Sequence, residues 1–272
     1  MLLVVLLLVV LLGNLSLSNA RAEQTISDSE RAKHLERMRS LAGSIRVLAD
    51  PQRTESAVKL QDEPVLRYAD DTRMTIESSL WIWTSGGRPT AILAVEFYPK
   101  PPHGPRWLYE IASLSTRRIA AEREGEFRWS AKAPGVTLQA FGDAPPPADK
   151  ETRRLTQMKQ LRARFTAHEN ATEGRVELRP LTTALVRYAD AETGLVDGAI
   201  FSLANGTNPE VLLMLEANRV ESKIIWQYAL VQLTGEPVTV ELDGKEIWEQ
   251  PGDAPPAVRA AYINGWIAAG KE

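Results

Sequence analysis

The stretch VRYADAETGLVDGAIFSLANGTNPEVLLMLEA at 186–217 aligns without a gap on LRYADDTRMTIESSLWIWTSGGRPTAILAVEF at 66–97, 120 positions earlier. Arg-Tyr-Ala-Asp stands near the start of both, as Arg67, Tyr68 and Asp70 and again as Arg187, Tyr188 and Asp190. Under the same shift Gly86 meets Gly206, Pro89 meets Pro209, Leu93 meets Leu213 and Glu96 meets Glu216. Each stretch holds two β-rich runs around a short Gly- and Pro-bearing segment, SGGRP or NGTNP, which is hairpin chemistry. Self-similarity at a fixed offset reads as a tandem duplication.

The match extends both ways. Upstream, Leu35, Met38, Leu41 and Ile45 fall on Leu155, Met158, Leu161 and Phe165. Their three- and four-residue steps predict one amphipathic helix at the head of each copy. Downstream, YEIASL from Tyr109 parallels WQYALVQL from Trp226, Gly125 to Trp129 parallels Gly244 to Trp248, and GDAPP occurs at 142 and at 252. The expected class is α+β: a tandem duplication, each copy one amphipathic helix followed by an antiparallel meander sheet. Runs such as Leu80 to Trp83 are apolar on both faces, so each sheet should have a helix on one side and further cover on the other. A Pro-rich linker at Ala144 to Ala148 sets the expected units at 23–148 and 149–272.

In this reading the tetrapeptide is scaffolding. It ends a strand in both copies, with the Tyr ring inward and the guanidinium toward a rim. The Asp falls where the chain turns and can accept backbone N–H bonds. A structural role recurs with the fold, whereas a catalytic site is needed once.

Residues 1–22 hold an apolar run from Leu2 to Leu12 followed by Ala20-Arg21-Ala22, the pattern of a signal peptide cleaved after Ala22. The run is short for a membrane span, so no stable insertion is expected after processing; an uncleaved anchor is the alternative. The location implied is secreted or periplasmic. The 272-residue chain has no cysteine, which removes disulfides, thiol nucleophiles and Cys-type metal sites. Its net charge of −3 gives no footprint for a phosphate backbone, so nucleic acid is not an expected partner.

The chemistry-bearing residues are sparse. His34, His103 and His168 have no metal-ligand spacing, and no phosphate loop, dinucleotide fingerprint or nucleophile elbow occurs, so neither metal nor cofactor is expected. Glu96 and Glu216 draw interest because each follows an apolar strand run, with Asp197 next. A hydrolase would need two carboxylates on one bond, such as Glu96 with Asp70 or Glu216 with Asp197; pairing with Arg67 or Arg187 is the plainer role. The seven tryptophans could form a sugar platform, but Trp81, Tyr109 and Trp129 are matched by Phe201, Trp226 and Trp248, as core positions would be. The segment YPKPPHGPRW at 98–107 has no counterpart, the second copy carrying NRVESK instead. Its Pro101, Pro102, His103, Arg106 and Trp107 form either a stiff guard on a sheet edge or a preformed contact for a partner.

The string VRYADAETGLVDGAIFSLANGTNPEVLLMLEA, with WQYAL and GKEIW after it and RRLTQMKQLRARFTAHE before it, resembles uncharacterised secreted proteins of planctomycete bacteria. The likeness covers about the last hundred residues well and the first copy loosely. It implies an exported bacterial protein and brings no activity with it. The function expected is a non-enzymatic exported module that binds an unknown protein or polymer in the cell envelope or extracellular space. The alternative is a glycan or ester hydrolase using a carboxylate pair. Intact mass of exported protein should correspond to a chain beginning at Glu23; a mass that retains Met1 contradicts processing.

Overall fold

The computed structural model describes residues 26–269 apart from 71, 72, 103, 172, 173 and 254, so the expected signal peptide lies outside the described residues. Helix α1 (Asp28–Gly43) leads into β1 (Arg46–Leu48) and β2 (Lys59–Leu60), then into the long run β3 (Leu66–Asp70), β4 (Thr75–Ser85), β5 (Arg88–Tyr98) and β6 (Arg106–Ser113). Three short strands follow, β7 (Ala120–Arg123), β8 (Phe127–Ser130) and β9 (Gln139–Ala140). Helix α2 (Glu151–Arg162) precedes β10 (Phe165–Ala171), β11 (Gly174–Pro180), β12 (Val186–Asp190), β13 (Leu195–Asn205), β14 (Asn208–Val220) and β15 (Lys223–Gln232). The chain closes with β16 (Val238–Leu242), β17 (Lys245–Gln250), β18 (Ala257–Val258) and β19 (Tyr262–Ala268).

The fold class corrects the α+β expectation. The chain is mostly β, 52% strand against 14% helix, in large antiparallel sheets that curl into a half-barrel, and it is not a tandem helix-plus-meander repeat. Two physical causes account for the difference. The periodicity that predicts a helix through Phe165 breaks after Arg162, and Phe165 opens the β10–β11 hairpin; His168 therefore sits on a strand rather than at a helix end. The sheets also draw strands from both sides of residue 148. One sheet runs β18-β19-β6-β5-β4-β2 with β3 also on β4, so the strands at one of its edges come from the C-terminal end of the chain. The other runs β17-β16-β10-β11-β13-β14-β15-β9 with β12 also on β13, and its last strand precedes α2. A third sheet, β1-β7-β8, folds over the outer side of the first.

The doubly apolar strands are explained by three packed layers. Leu80, Ile82, Ile92 and Ala94 of one sheet meet Ile200, Leu212 and Met214 of the other in a central core. The alternate residues Trp81, Trp83, Leu93 and Val95 turn outward to Met38 and Leu41 of α1. Phe201, Leu213 and Leu215 likewise turn to Met158 and Leu161 of α2. Helix α1 starts at a capping box in which the Ser27 side chain accepts from Glu30 N and Glu30 accepts from Ser27 N.

Each hairpin tip touches the other sheet. The two-residue turn after Ser85 places Gly86 and Gly87 at positive φ, and a Cβ added at Gly87 would lie 2.8 Å from the Ala189 carbonyl oxygen. The turn after Asn205 brings the Thr207 hydroxyl to donate to the Ala69 carbonyl. Gly87→Ala should therefore destabilise more than Gly125→Ala, which has positive φ but nothing within 4 Å. Gly125→Ala should cost about 1–2 kcal/mol for backbone conformation alone, and Gly87→Ala that plus displacement of the opposing strand. Thermal melts of the two variants should rank them in that order.

Candidate functional site

The repeated Arg-Tyr-Ala-Asp segments are bound up in the scaffold. Arg67 donates to Glu77 Oε1 at 2.6 Å from Nη2, and Arg187 Nη2 donates to Asp197 Oδ2 at 2.6 Å; Glu77 and Asp197 are themselves buried. The Tyr68 hydroxyl donates to Glu96 Oε1 at 2.8 Å and the Tyr188 hydroxyl to Glu216 Oε1 at 2.9 Å. Asp190 Oδ1 accepts from Glu192 N and Thr193 N, closing the turn into β13, and Asp70 Oδ1 accepts from Arg73 N at 3.4 Å. The reason for the register is visible in the strand pairing. Tyr68 and Tyr188 face the central core, where the OH must find an acceptor, while the alternate Arg residues face the layer outside it.

The carboxylate pairs do not converge on a common bond. Asp197 is held on the α2 side by Arg154 Nε at 2.8 Å and by Arg187. Glu216, on β14, points into the central layer instead, where Arg88 Nη2 donates to both of its oxygens at 2.7 and 2.8 Å and Asn218 Nδ2 donates at 2.8 Å. Glu96 accepts from Tyr68 and from the Tyr98 hydroxyl at 2.9 Å. Glu96 and Asp70 are 1% and 4% exposed, which leaves no room for a substrate between them.

A larger acidic cluster lies at the seam, and the sequence reading missed most of it. Arg73 Nη2 donates to Glu169 Oε1 at 2.7 Å and lies 3.0 Å from Glu210 Oε1 without the alignment of a hydrogen bond. Glu110 accepts from the Tyr262 hydroxyl, which in turn accepts from Asn264 Nδ2 at 3.0 Å. Glu96, Glu110, Glu169 and Glu210 are all buried. Burial pushes the Glu96 and Glu210 carboxyls up, and burial together with the Glu96 charge pushes Glu110 up to about 8. Burial also works against the Arg73 charge, but Glu210 and Glu169 outweigh it and hold the guanidinium firmly protonated. The signal that singled out Glu96, a Glu inside an apolar strand run, is present equally at Glu110 in WLYEIASL and at Glu210 in NPEVLLML.

The remaining candidates separate. Trp107 is 3% exposed and packs on Phe97 and His34 beneath α1, so it offers no face to a partner. Arg106 lies over the Trp266 ring at 5.7 Å, Pro101 and Pro102 are exposed, and His103 lies outside the described residues. Trp81 and Trp83 are core residues. Among the described residues no group of His, Asp and Glu is arranged to hold a metal ion, and no helix is long and apolar enough to cross a membrane.

One recess reaches toward the seam from outside. A cleft of about 200 Å³ is walled by Leu230 and Gln232 of β15, Trp248 and Gln250 of β17, and Arg259 and Tyr262 around the start of β19. The Arg259 guanidinium is fixed on three sides. Its Nε donates to Asp253 Oδ2 at 2.9 Å, its Nη1 donates to Gln232 Oε1, and its plane lies 5.3 Å over the Tyr262 ring. Its Nη2 is closed to solvent and has no hydrogen-bond partner among the described residues.

The acidic cluster predicts a pH dependence. The unfolded chain releases the Glu110 proton near the ordinary 4.5, whereas the folded chain keeps it to about 8. The stability this contributes is fully present below the unfolded value and is lost as pH rises through the folded one. Glu96 and Glu210, shifted the same way, act in the same sense. Calorimetric melting should show a midpoint falling from about pH 5 to about pH 8.5, and Glu110→Gln should flatten that fall; a variant with the parent's slope contradicts the assignment. In comparison with known proteins, no family, no curated protein and no solved structure matches the chain.

Proposed function

We propose that this chain is a non-enzymatic binding module that engages a polymer in the cell envelope or extracellular space, reached by export. The observation that carries the reading is the fate of the carboxylates. Asp197, Glu216 and Glu96 are each spent on Arg or Tyr partners, on opposite faces of a sheet or within a closed core, and Asp70 is buried beside them. A glycosidase needs two carboxyl groups separated by the width of a sugar bond, one of them free to protonate a leaving group. The surface carries a small cleft with Trp248 and Tyr262 in its wall, a concave form that recognition sites share.

The test is retention against turnover. Residues 23–272 should co-sediment with at least one insoluble polymer from a panel of acidic and neutral polysaccharides, without releasing reducing ends. Reducing-end release that Glu96→Gln or Glu216→Gln abolishes overturns the reading in favour of a hydrolase. Failure to be retained by any polymer overturns the polymer partner.

A further inference from the structure

The central layer ends in a group of carboxylates that outnumbers its cations. Glu110 on β6 and Glu96 on β5 share the inner face of one sheet, Glu110 opposite Ala94 and Glu96 opposite Leu108 in the strand register. From the other sheet come Glu169 and Glu210, which share Arg73 Nη2 at 2.7 and 3.0 Å. Glu210 is fully buried, and neither of its oxygens receives an aligned hydrogen bond among the described residues. Glu110 has one donor among those residues, the Tyr262 hydroxyl. An ionised carboxylate in a dry interior needs donors or a countercharge, and one guanidinium cannot serve four. The folded state therefore keeps protons on part of the group.

One element can let water reach Glu110 while the sheets stay whole. Strands β5, β6, β10 and β14 each have a neighbour on both sides, whereas β19 pairs along its length with β6 alone and meets β18 only at Ile263 and Asn264. The inner face of β19 carries Tyr262, bonded to Glu110, and Asn264, which lies opposite Glu110 and donates to the Tyr262 hydroxyl oxygen. Asn264 Oδ1 accepts from Ala257 N, so β18 is tied to the same chain of contacts. Release of residues 257–268 as a unit removes the one donor of Glu110 and frees the edge of β6 beside it. We propose that residues 257–268 form a proton-controlled strap, held closed over the seam while Glu110 is protonated and released from β6 when Glu110 gives up that proton.

The groups around Glu110 set the sign. Burial and the charges of Glu96 on β5 and Glu210 on β14 oppose its ionisation, while the Tyr262 hydroxyl, Arg73 and Arg259 favour it and are outweighed. With the strap open, Glu110 in water holds its proton only to the ordinary 4.5; with the strap closed it keeps the proton to about 8. Opening thus releases one proton across that interval and becomes about tenfold easier with each pH unit. Hydrogen exchange of residues 23–272 between pH 5 and pH 9, each rate divided by the intrinsic rate at that pH, tests this. Protection of Tyr262–Ala268 should fall about tenfold per pH unit from pH 5 and level off above about pH 8, and should stay below that of residues 212–215 in β14. Glu110→Gln, neutral throughout, should hold the strap's protection within about twofold over the same range. Tyr262→Phe keeps the ring and removes the donor that favours ionised Glu110, so its fall should continue to higher pH than the parent's. Equal protection of the strap and of residues 212–215 at every pH means one global opening and overturns the strap. A strap without pH dependence, or one that keeps the parent's slope in Glu110→Gln, overturns the role of the Glu110 proton. If Glu110→Gln does not fold, Tyr262→Phe decides, and a fall that levels off at the parent's pH overturns the proposal.

Discussion

Strands β4, β5, β13 and β14 are apolar on both faces, and a sheet with two apolar faces must be covered twice. The rest of the structure follows from that requirement. One face of each sheet takes a helix, whose buried residues are few, Met38, Leu41 and Ala42 on α1 and Met158 and Leu161 on α2. The other faces take each other. Burial of this kind is the dominant favourable contribution to folding, and here it forces polar groups into the central layer as well, because Tyr68, Tyr188 and Tyr262 bring hydroxyls with them. Their acceptors, Glu96, Glu216 and Glu110, are the groups that look catalytic in a sequence.

The two ends of the seam are solved differently. Glu216 receives Arg88 from the opposite sheet, whereas the residue aligned with Arg88 is Asn208, and Glu96 is left with two tyrosine hydroxyls. The charge balance at that end falls to Arg73, shared with Glu169 and Glu210. Four buried carboxylates beside one close guanidinium cannot all be ionised cheaply in a dry interior. Burial accordingly pushes the Glu96, Glu110 and Glu210 carboxyls up, which favours their protonated forms where no second arginine is close.

Local pattern made much of this legible. The hairpins at SGGRP and NGTNP, the long runs they join and the presence of both helices could be read from turn chemistry and periodicity. So could the inward direction of Tyr68 and Tyr188 and the outward direction of Arg67 and Arg187 at their strand ends. The fold class could not, because the helical periodicity runs on through Phe165, where β10 begins, and Tyr262–Ala268 find their place only by pairing with the distant β6. Arg73 and Arg259 escaped for the same reason. A guanidinium in a turn reads as solvated, and only the third dimension brings it to Glu169 or to Gln232.

The pairing of β19 with β6 bears on the order in which the molecule can be built. Strand β6 acquires its outer neighbour only from residues at the far end of the chain, and β15 receives β9 from before the second helix. A nascent chain leaves the ribosome from its N-terminus, so the first sheet has an unpaired edge and Ile111 lacks its facing neighbour Ile263 until Tyr262–Ala268 have emerged. Unpaired strand edges invite association with other chains. The first sheet is thus completed only once Tyr262–Ala268 have emerged, whereas the strands of the second all lie at or before Gln250, so the two sheets close at different times.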